Sequence, residues 1–371
     1  MNIYTAKPYI DEKICNDVVS VLKSGMIVQG PKVKELEEKF SKKCNVKYCA
    51  AVNSGTAALH SALFSAGIQS EDEVITSPFT FVATANSILM VGAKPVFVDI
   101  DEKTFNIDPD EIEKKITPKT KAILPVHLYG LMADMEKIIS ISKKYNLLVI
   151  EDAAQAHDAE IKGEKAGSIG DIGAFSLYAT KNMMSAEGGL VTSNNEDFIE
   201  KVKSFRHHGQ SPNGRYNYID FGYNYRMTDI HAVIGLNQLE KLEEFNTVRQ
   251  RNAKLYDKYF NEIEGITTPY VPQGYKHIYH QYTIKINHKI FGHSREELIN
   301  KLNGNDIFPA IFYPKPLHLI PTFRRDGFKE GDFPIAEKIS SEVLSLPVHP
   351  GIKENDVEKV YKMIKNLKGE M

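Results

Sequence analysis

Short apolar runs alternate with longer amphipathic segments over the first 250 residues of the chain. The apolar runs are rich in β-branched residues and end near polar or small side chains, which predicts strands over 48–52, 73–76, 95–99, 121–126, 147–151, 173–177 and 189–192. Between them, apolar positions recur every three to four residues over 33–40, 135–144 and 198–205, which predicts helices. The alternation predicts an α/β fold with one large sheet covered by helices.

The pattern changes after a long helical segment. Residues 229–259 keep a helical pattern without proline, and a strand-like run over 282–286 and further helices follow Pro269. We therefore expect a large domain over residues 1–250, including the N-terminal arm, and a smaller α/β domain over 251–371.

Charge and cysteine content exclude several classes of protein. The 46 Lys and Arg residues are balanced by 48 Asp and Glu residues, so we expect no nucleic acid partner. No apolar run approaches the roughly 20 residues that span a bilayer, and the first residues do not resemble a signal sequence. The three cysteines lack the paired spacing of a metal site, so we expect no metal. Without a membrane-spanning run or a signal sequence, we expect a cytoplasmic protein.

An acid and a lysine follow two of the predicted strands. Asp152 comes directly after the run over 147–151, and Lys181 follows the run over 173–177. Pyridoxal phosphate (PLP) needs a lysine for its aldehyde and an acid for its pyridine nitrogen, and the pair suggests a PLP enzyme. Acids at strand ends and surface lysines are both common, so the pair alone also fits two solvated charges.

Neighbouring segments supply groups that such a cofactor would use. Small residues over 53–59 open a helix after a strand, which favours an anion at Gly55 and Thr56, although Ser54 could simply cap the helix. Phe81 could stack on a ring or pack in the core, and Ser176 could donate to a phosphate. The chain lacks Walker and dinucleotide-binding glycine patterns.

Seven segments together resemble the DegT/DnrJ/EryC1/StrS family of sugar aminotransferases, and the resemblance runs from about residue 24 to the carboxyl end. The segments are 29–31, 53–59, 151–155, 175–182, 187–189, 222–227 and 313–318. The resemblance implies the type I fold of aspartate aminotransferase, with a mostly parallel seven-stranded sheet and a smaller α/β C-terminal domain. It also implies the cofactor PLP.

The resemblance implies a role for each matching residue. Lys181 would form the Schiff base and Asp152 would face the pyridine nitrogen, with Gln155 near the ring hydroxyl and Phe81 stacked on the ring. Other residues would bind the phosphate through two backbone amides and two side chains: Gly55, Thr56, Ser176 and Asn224. Asn224 would reach the cofactor of the neighbouring subunit, which implies a homodimer with shared active sites.

The implied reaction moves an amino group, in most relatives from glutamate, onto a nucleotide-linked keto sugar. Arg226 and His318 lie in matching segments and are candidate substrate-binding residues. Two alternatives stay open: a non-catalytic PLP-binding regulator and a PLP-dependent sugar dehydratase. Some dehydratases of the family carry histidine at the lysine position, and Lys181 argues against that branch.

Overall fold

The computed structural model describes residues 2–211, 214 and 216–369. Its strands, in chain order, are β1 (Ile3–Tyr4), β2 (Tyr48–Val52), β3 (Glu73–Thr76), β4 (Lys94–Phe97), β5 (Thr120–Leu124), β6 (Leu148–Asp152), β7 (Glu160–Ile161), β8 (Glu164–Lys165), β9 (Ile172–Ser176), β10 (Gly189–Ser193), β11 (Ile266–Thr267), β12 (Tyr275–Lys276), β13 (Tyr282–Ile286), β14 (Ile307–Phe308) and β15 (Val343–Leu346).

The helices alternate with the strands of the first half and then dominate the second. They are α1 (Glu12–Ser24), α2 (Pro31–Lys43), α3 (Gly55–Ser65), α4 (Ala83–Met90), α5 (Pro109–Ile112), α6 (Met135–Tyr145), α7 (Glu196–Phe205), α8 (Asp229–Phe260), α9 (His288–Phe291), α10 (Arg295–Asn303), α11 (Pro321–Arg324), α12 (Pro334–Glu342) and α13 (Glu354–Gly369).

One seven-stranded sheet forms the centre of the first half, in the order β2-β10-β9-β6-β5-β3-β4. Strand β10 runs antiparallel to both of its neighbours, and the other neighbouring pairs are parallel. The mostly parallel seven-stranded sheet is confirmed. Strands β2 and β3 have the predicted bounds, and each of the other five overlaps a predicted run with bounds that differ by one or two residues.

The predicted amphipathic helices are present as α2, α6 and α7, and each is longer than its apolar pattern. Their ends depend on residues outside that pattern: Pro31 occupies the first turn of α2, the side chain of Asp134 caps α6, and that of Asn195 caps α7. These caps satisfy backbone N–H groups that have no acceptor within the helix.

The sheet and the C-terminal strands have separate cores, and α8 contributes to both. Its first half packs Leu236 and Leu242 under the large sheet, and its second half packs Tyr256 and Phe260 against β13 and β15. Residue 250 therefore lies inside a continuous helix. Ile3 also packs in the second core, where β1 pairs with β14. The boundary near residue 250 stays a prediction.

None of the helices in the part of the chain that the structure describes combines the length and the apolar character that a bilayer crossing requires.

Candidate active site

The carboxyl ends of β2, β6 and β9 meet at one edge of the large sheet and open into a cavity of about 430 Å³. Open α/β sheets bind ligands at this edge. The cavity brings together residues that the sequence predicted from separate segments: Gly55, Thr56, Phe81, Asp152, Gln155, Ser176 and Lys181. Strand direction alone explains why side chains more than a hundred residues apart in sequence meet here.

The carboxylate of Asp152 is buried and held by hydrogen bonds. The Thr84 hydroxyl donates to Oδ2 at 2.7 Å, and the Ala154 N–H donates to Oδ1 at 3.2 Å. Burial raises the pKa of Asp152, while the Thr84 hydrogen bond and the charge of Lys181 oppose that shift. A cationic ring nitrogen beside Asp152 would favour its ionised form further.

The neighbouring Glu151 fixes the end of β6. Its fully buried carboxylate accepts backbone hydrogen bonds from Gly167, Ile169 and Gly170 at 2.7–2.9 Å, and Nε2 of His127 lies 2.7 Å from Oε2. Nδ1 of His127 accepts a hydrogen bond from a backbone amide, so Nε2 carries the proton that Glu151 accepts. Glu151 thus positions Asp152 without facing the cavity.

Lys181 lies in the turn after β9, where its backbone N–H donates to the Tyr178 carbonyl. The next residue, Asn182, anchors the turn: it donates to Asn246 on α8 at 2.8 Å and lies 3.1 Å from Nδ1 of His280. Burial lowers the pKa of Lys181 to about 8, against the opposing charge of Asp152. Near neutral pH a useful fraction of this amine is therefore unprotonated.

The N-terminus of α3 points at the end of β9. Ser54 caps α3 by accepting from the Ala57 N–H at 3.1 Å, as the structural alternative supposed, and the first N–H groups of the helix stay available. A Cβ on Gly55 would lie 2.6 Å from Cβ of Ser176, so only glycine permits this approach. The Ser176 hydroxyl accepts from the Tyr178 N–H and can donate into the cavity.

Gln155 joins two segments of the cavity wall. Its Oε1 accepts from the Tyr129 N–H at 2.8 Å, and its Nε2 donates to the Tyr313 hydroxyl at 3.1 Å. Phe81 also lines the cavity, with 55% of its surface exposed and its ring 6.2 Å from that of Tyr313. An exposed ring beside the cavity suits stacking better than core packing.

These groups fit PLP. The cavity holds a lysine amine of lowered pKa, a buried carboxyl, an open aromatic face, and a helix N-terminus brought against a serine hydroxyl. Such a set provides a partner for an aldehyde, a ring nitrogen, a ring face and a phosphate.

Three predicted residues lie outside this cavity. Asn224 is exposed, and its carbonyl accepts from Asn53 at 3.3 Å. Arg226 lies 2.7 Å from His207 and lines a second cavity of about 480 Å³. His318 is fully buried, with Nε2 2.9 Å from Glu337, and does not line either cavity. Their roles stay predictions, and the burial of His318 gives no support for substrate contact.

Sequence reasoning missed several residues that line the cavity, among them Thr84, His280, Gln281 and Tyr313. The sequence offered a signal for Tyr313, because it begins the matching segment 313–318 from which His318 was selected as a candidate. Thr84 and His280 carry no local signal, since one lies in an ordinary helix and the other precedes a strand.

Several known proteins are similar to this chain over nearly all of its length. A pleiotropic regulatory protein of Geobacillus stearothermophilus is 42% identical, over 93% of this chain and 91% of its own. The UDP-2-acetamido-2-deoxy-3-oxo-D-glucuronate aminotransferase of Pseudomonas aeruginosa is 36% identical, over 92% of each chain. The structure of Spr1654 from Streptococcus pneumoniae in its PLP form matches with a TM-score of 0.93 at 30% identity, over 100% of this chain and 99% of its own.

The model of the DegT/DnrJ/EryC1/StrS aminotransferase family matches residues 8–365. The type I transferase fold, the aminotransferase class and the cofactor PLP, all predicted from the seven segments, are thereby confirmed. The chain belongs to the DegT/DnrJ/EryC1/StrS aminotransferase family.

Proposed function

We propose that this protein transfers an amino group from glutamate to the keto group of a nucleotide-linked sugar and so makes an amino sugar. The carrying observation is that a lysine of lowered pKa and a buried, hydrogen-bonded aspartate line one cavity. The Pseudomonas aeruginosa relative, whose name describes an aminotransferase for a UDP-linked oxo sugar, supports the class of substrate.

The cofactor, when bound, withdraws electrons from the carbon that bears the amino group. The chain supplies the remaining chemistry. Asp152, oriented by Thr84, would keep a proton on the ring nitrogen, and Nζ of Lys181 would accept the proton from that carbon and deliver it to the carbon on the other side of the amino nitrogen. The pKa of about 8 suits an amine that must both take and release a proton near neutral pH.

The remaining predicted residues would position the cofactor and the substrate. The backbone amides of Gly55 and Thr56 and the hydroxyl of Ser176 would bind the phosphate, while Phe81 and Gln155 would hold the ring. Arg226 stays a candidate for binding a carboxylate or phosphate of a substrate, as a cation that lines a neighbouring cavity.

We further propose a homodimer in which Asn224 reaches the partner's cofactor. Large apolar side chains are exposed on the segment that leads to Asn224: Tyr216, Tyr218, Ile219, Phe221 and Tyr223. Apolar side chains clustered on a surface commonly mark an interface, and Asn224 itself is exposed. A cytoplasmic location is also part of the proposal, and the three free cysteines fit a reducing compartment.

Absorbance of the purified holoenzyme tests the reaction. Glutamate should convert the lysine-bound form of the cofactor to its amino form, and one member of a panel of UDP- and GDP-linked 3-keto and 4-keto hexoses should reverse that change. Lys181→Ala removes the proton-transfer amine and should lower turnover by at least about 10²-fold.

The same samples separate the alternatives. A wild-type spectrum that glutamate never changes would favour a regulator, and a product that has lost water instead of gaining nitrogen would favour a dehydratase. Lys162→Ala is the matched control, since that lysine is 60% exposed and pairs with Glu136 on the surface. Normal turnover by Lys181→Ala would contradict the proposal.

A further inference from the structure

Gln281 is a buried side chain of the cavity wall that the proposed chemistry does not use. It lies directly before β13 and is 5% exposed. Its Oε1 is buried and has no hydrogen-bond partner among the residues that the structure describes. Buried polar atoms are nearly always paired, so an unpaired one beside a cavity points to a partner that binds there.

Hydrogen bonds fix the backbone of the segment that carries Gln281. The Gln281 N–H donates to the Tyr129 carbonyl at 3.3 Å, and the Arg249 guanidinium donates to the carbonyls of Tyr279 and His280 at 3.2 Å. By contrast, both ends of the Gln155 amide are bonded. Burying an unpaired amide costs about 1–3 kcal/mol, a cost that bound substrate would remove.

We propose that the carboxamide of Gln281 binds a hydroxyl or amide group of the keto sugar and contributes to sugar specificity. A carboxamide both donates and accepts, as a sugar hydroxyl does. Among the described lining residues, Glu187 is the only charged one besides Asp152 and Lys181, which the cofactor would engage. The wall therefore suits a neutral polyhydroxyl ligand. This inference rests on the proposed function.

A structural explanation competes with this one. Gln281 also lines a crevice of about 10 Å³ beside Tyr129 and Thr283, a space near the minimum for one water molecule. A water there would satisfy the amide and make Gln281 part of the scaffold. The two explanations predict opposite effects on stability when the amide is removed.

The test compares Gln281→Leu with Gln250→Leu in the holoenzyme. Gln250 on α8 provides the control: its amide donates at 2.9 Å to the carbonyl of His277, four residues before Gln281, and Gln250 lies outside the cavity lining. With the keto hexose that the wild type accepts, Gln281→Leu should raise KM about 10-fold. The glutamate half-reaction and the cofactor content should not change.

Melting of the cofactor-free protein gives the second measurement. Gln281→Leu should melt at the wild-type temperature or above, because leucine removes an unpaired polar group, whereas Gln250→Leu should melt lower. An unchanged KM would overturn the proposal, and so would a melting temperature lowered as much as in Gln250→Leu. If the wild type itself accepts no keto hexose, the proposed function fails, and this inference fails with it.

Discussion

Asp152 shows how a residue predicted from sequence acquires its chemistry from neighbours that were not predicted. Its position at the end of a strand is plain in the sequence. The hydroxyl of Thr84 that orients it comes from α4, and Thr84 is itself 3.0 Å from the hydroxyl of Thr80. No spacing rule connects residues 80–84 with residue 152, because the contact depends on how α4 packs beside β6.

The lowered pKa of Lys181 predicts a pH-dependent stability of the cofactor-free protein. The amine titrates at about 8 in the folded protein and near 10.5 when unfolded, so burial of its charge destabilises the fold below pH 8. That cost disappears as the pH rises from 8 to 10.5. Lys181→Met should therefore raise stability at pH 7 by on the order of 2 kcal/mol, with a smaller gain at pH 9.5.

Melting temperatures of wild type and variant at the two pH values measure this effect. Lys162→Met is the control: because Lys162 is exposed, the difference in melting temperature between this variant and the wild type should be the same at both pH values. If the rise in melting temperature caused by Lys181→Met stays constant or grows between pH 7 and pH 9.5, burial of the Lys181 charge is not the cause of the stabilisation.

At the scale of elements, the contact between α3 and β9 gives the sharpest prediction. Alanine usually stabilises a helix relative to glycine by about 0.5–1 kcal/mol. Gly55→Ala should instead weaken PLP binding at least about tenfold, because the new Cβ would lie 2.6 Å from Cβ of Ser176 and displace the helix N-terminus.

Titration of the cofactor-free protein with PLP measures this affinity. Gly304→Ala is a matched control. Gly304 lies outside the cavity lining, and a Cβ at that position would be 3.4 Å from its nearest atom, an ordinary van der Waals distance. Equal affinities of the two variants would show that the approach of α3 to Ser176 does not form the phosphate site.

His318 shows the limit of transferring a role through a matching segment. Of the segment 313–318, Tyr313 lines the cavity, whereas His318 lies in a short 3₁₀ helix (Leu317–Leu319) and packs against Phe333 and Glu337. In a longer helix or a strand, periodicity would have separated the two faces. Residues 313–316 have no regular structure and the 3₁₀ helix is a single turn, so the sequence could not show which residue faces the cavity.

For the whole molecule, the main prediction concerns shared active sites. If Asn224 serves the partner's cofactor, a mixed dimer of Lys181→Ala and Asn224→Ala chains has one site with both changes and one with neither. Each homodimer should lose at least about tenfold in activity, while the mixed dimer should recover about half of the wild-type activity. Co-expression with two affinity tags isolates the mixed dimer for assay.

Lys181 and Asp152 supply the control, because both line the same cavity of one chain. A mixed dimer of Lys181→Ala and Asp152→Asn chains has a defect in each site and should stay inactive. Inactivity of the Lys181→Ala and Asn224→Ala pair, once the mixed dimer is isolated, would contradict shared sites.

The sequence by itself determined the layered α/β fold, the large sheet, and the residues that reach one cavity: Gly55, Thr56, Phe81, Asp152, Gln155, Ser176 and Lys181. It could do so because strand patterns are local and parallel strands present their carboxyl ends at one edge. Only the tertiary structure decided which groups orient and complete that set, namely Thr84 on Asp152, Tyr313 on Gln155, and the unpaired amide of Gln281. These contacts join distant segments through side-chain packing, and no repeating pattern of residues in the sequence predicts such contacts.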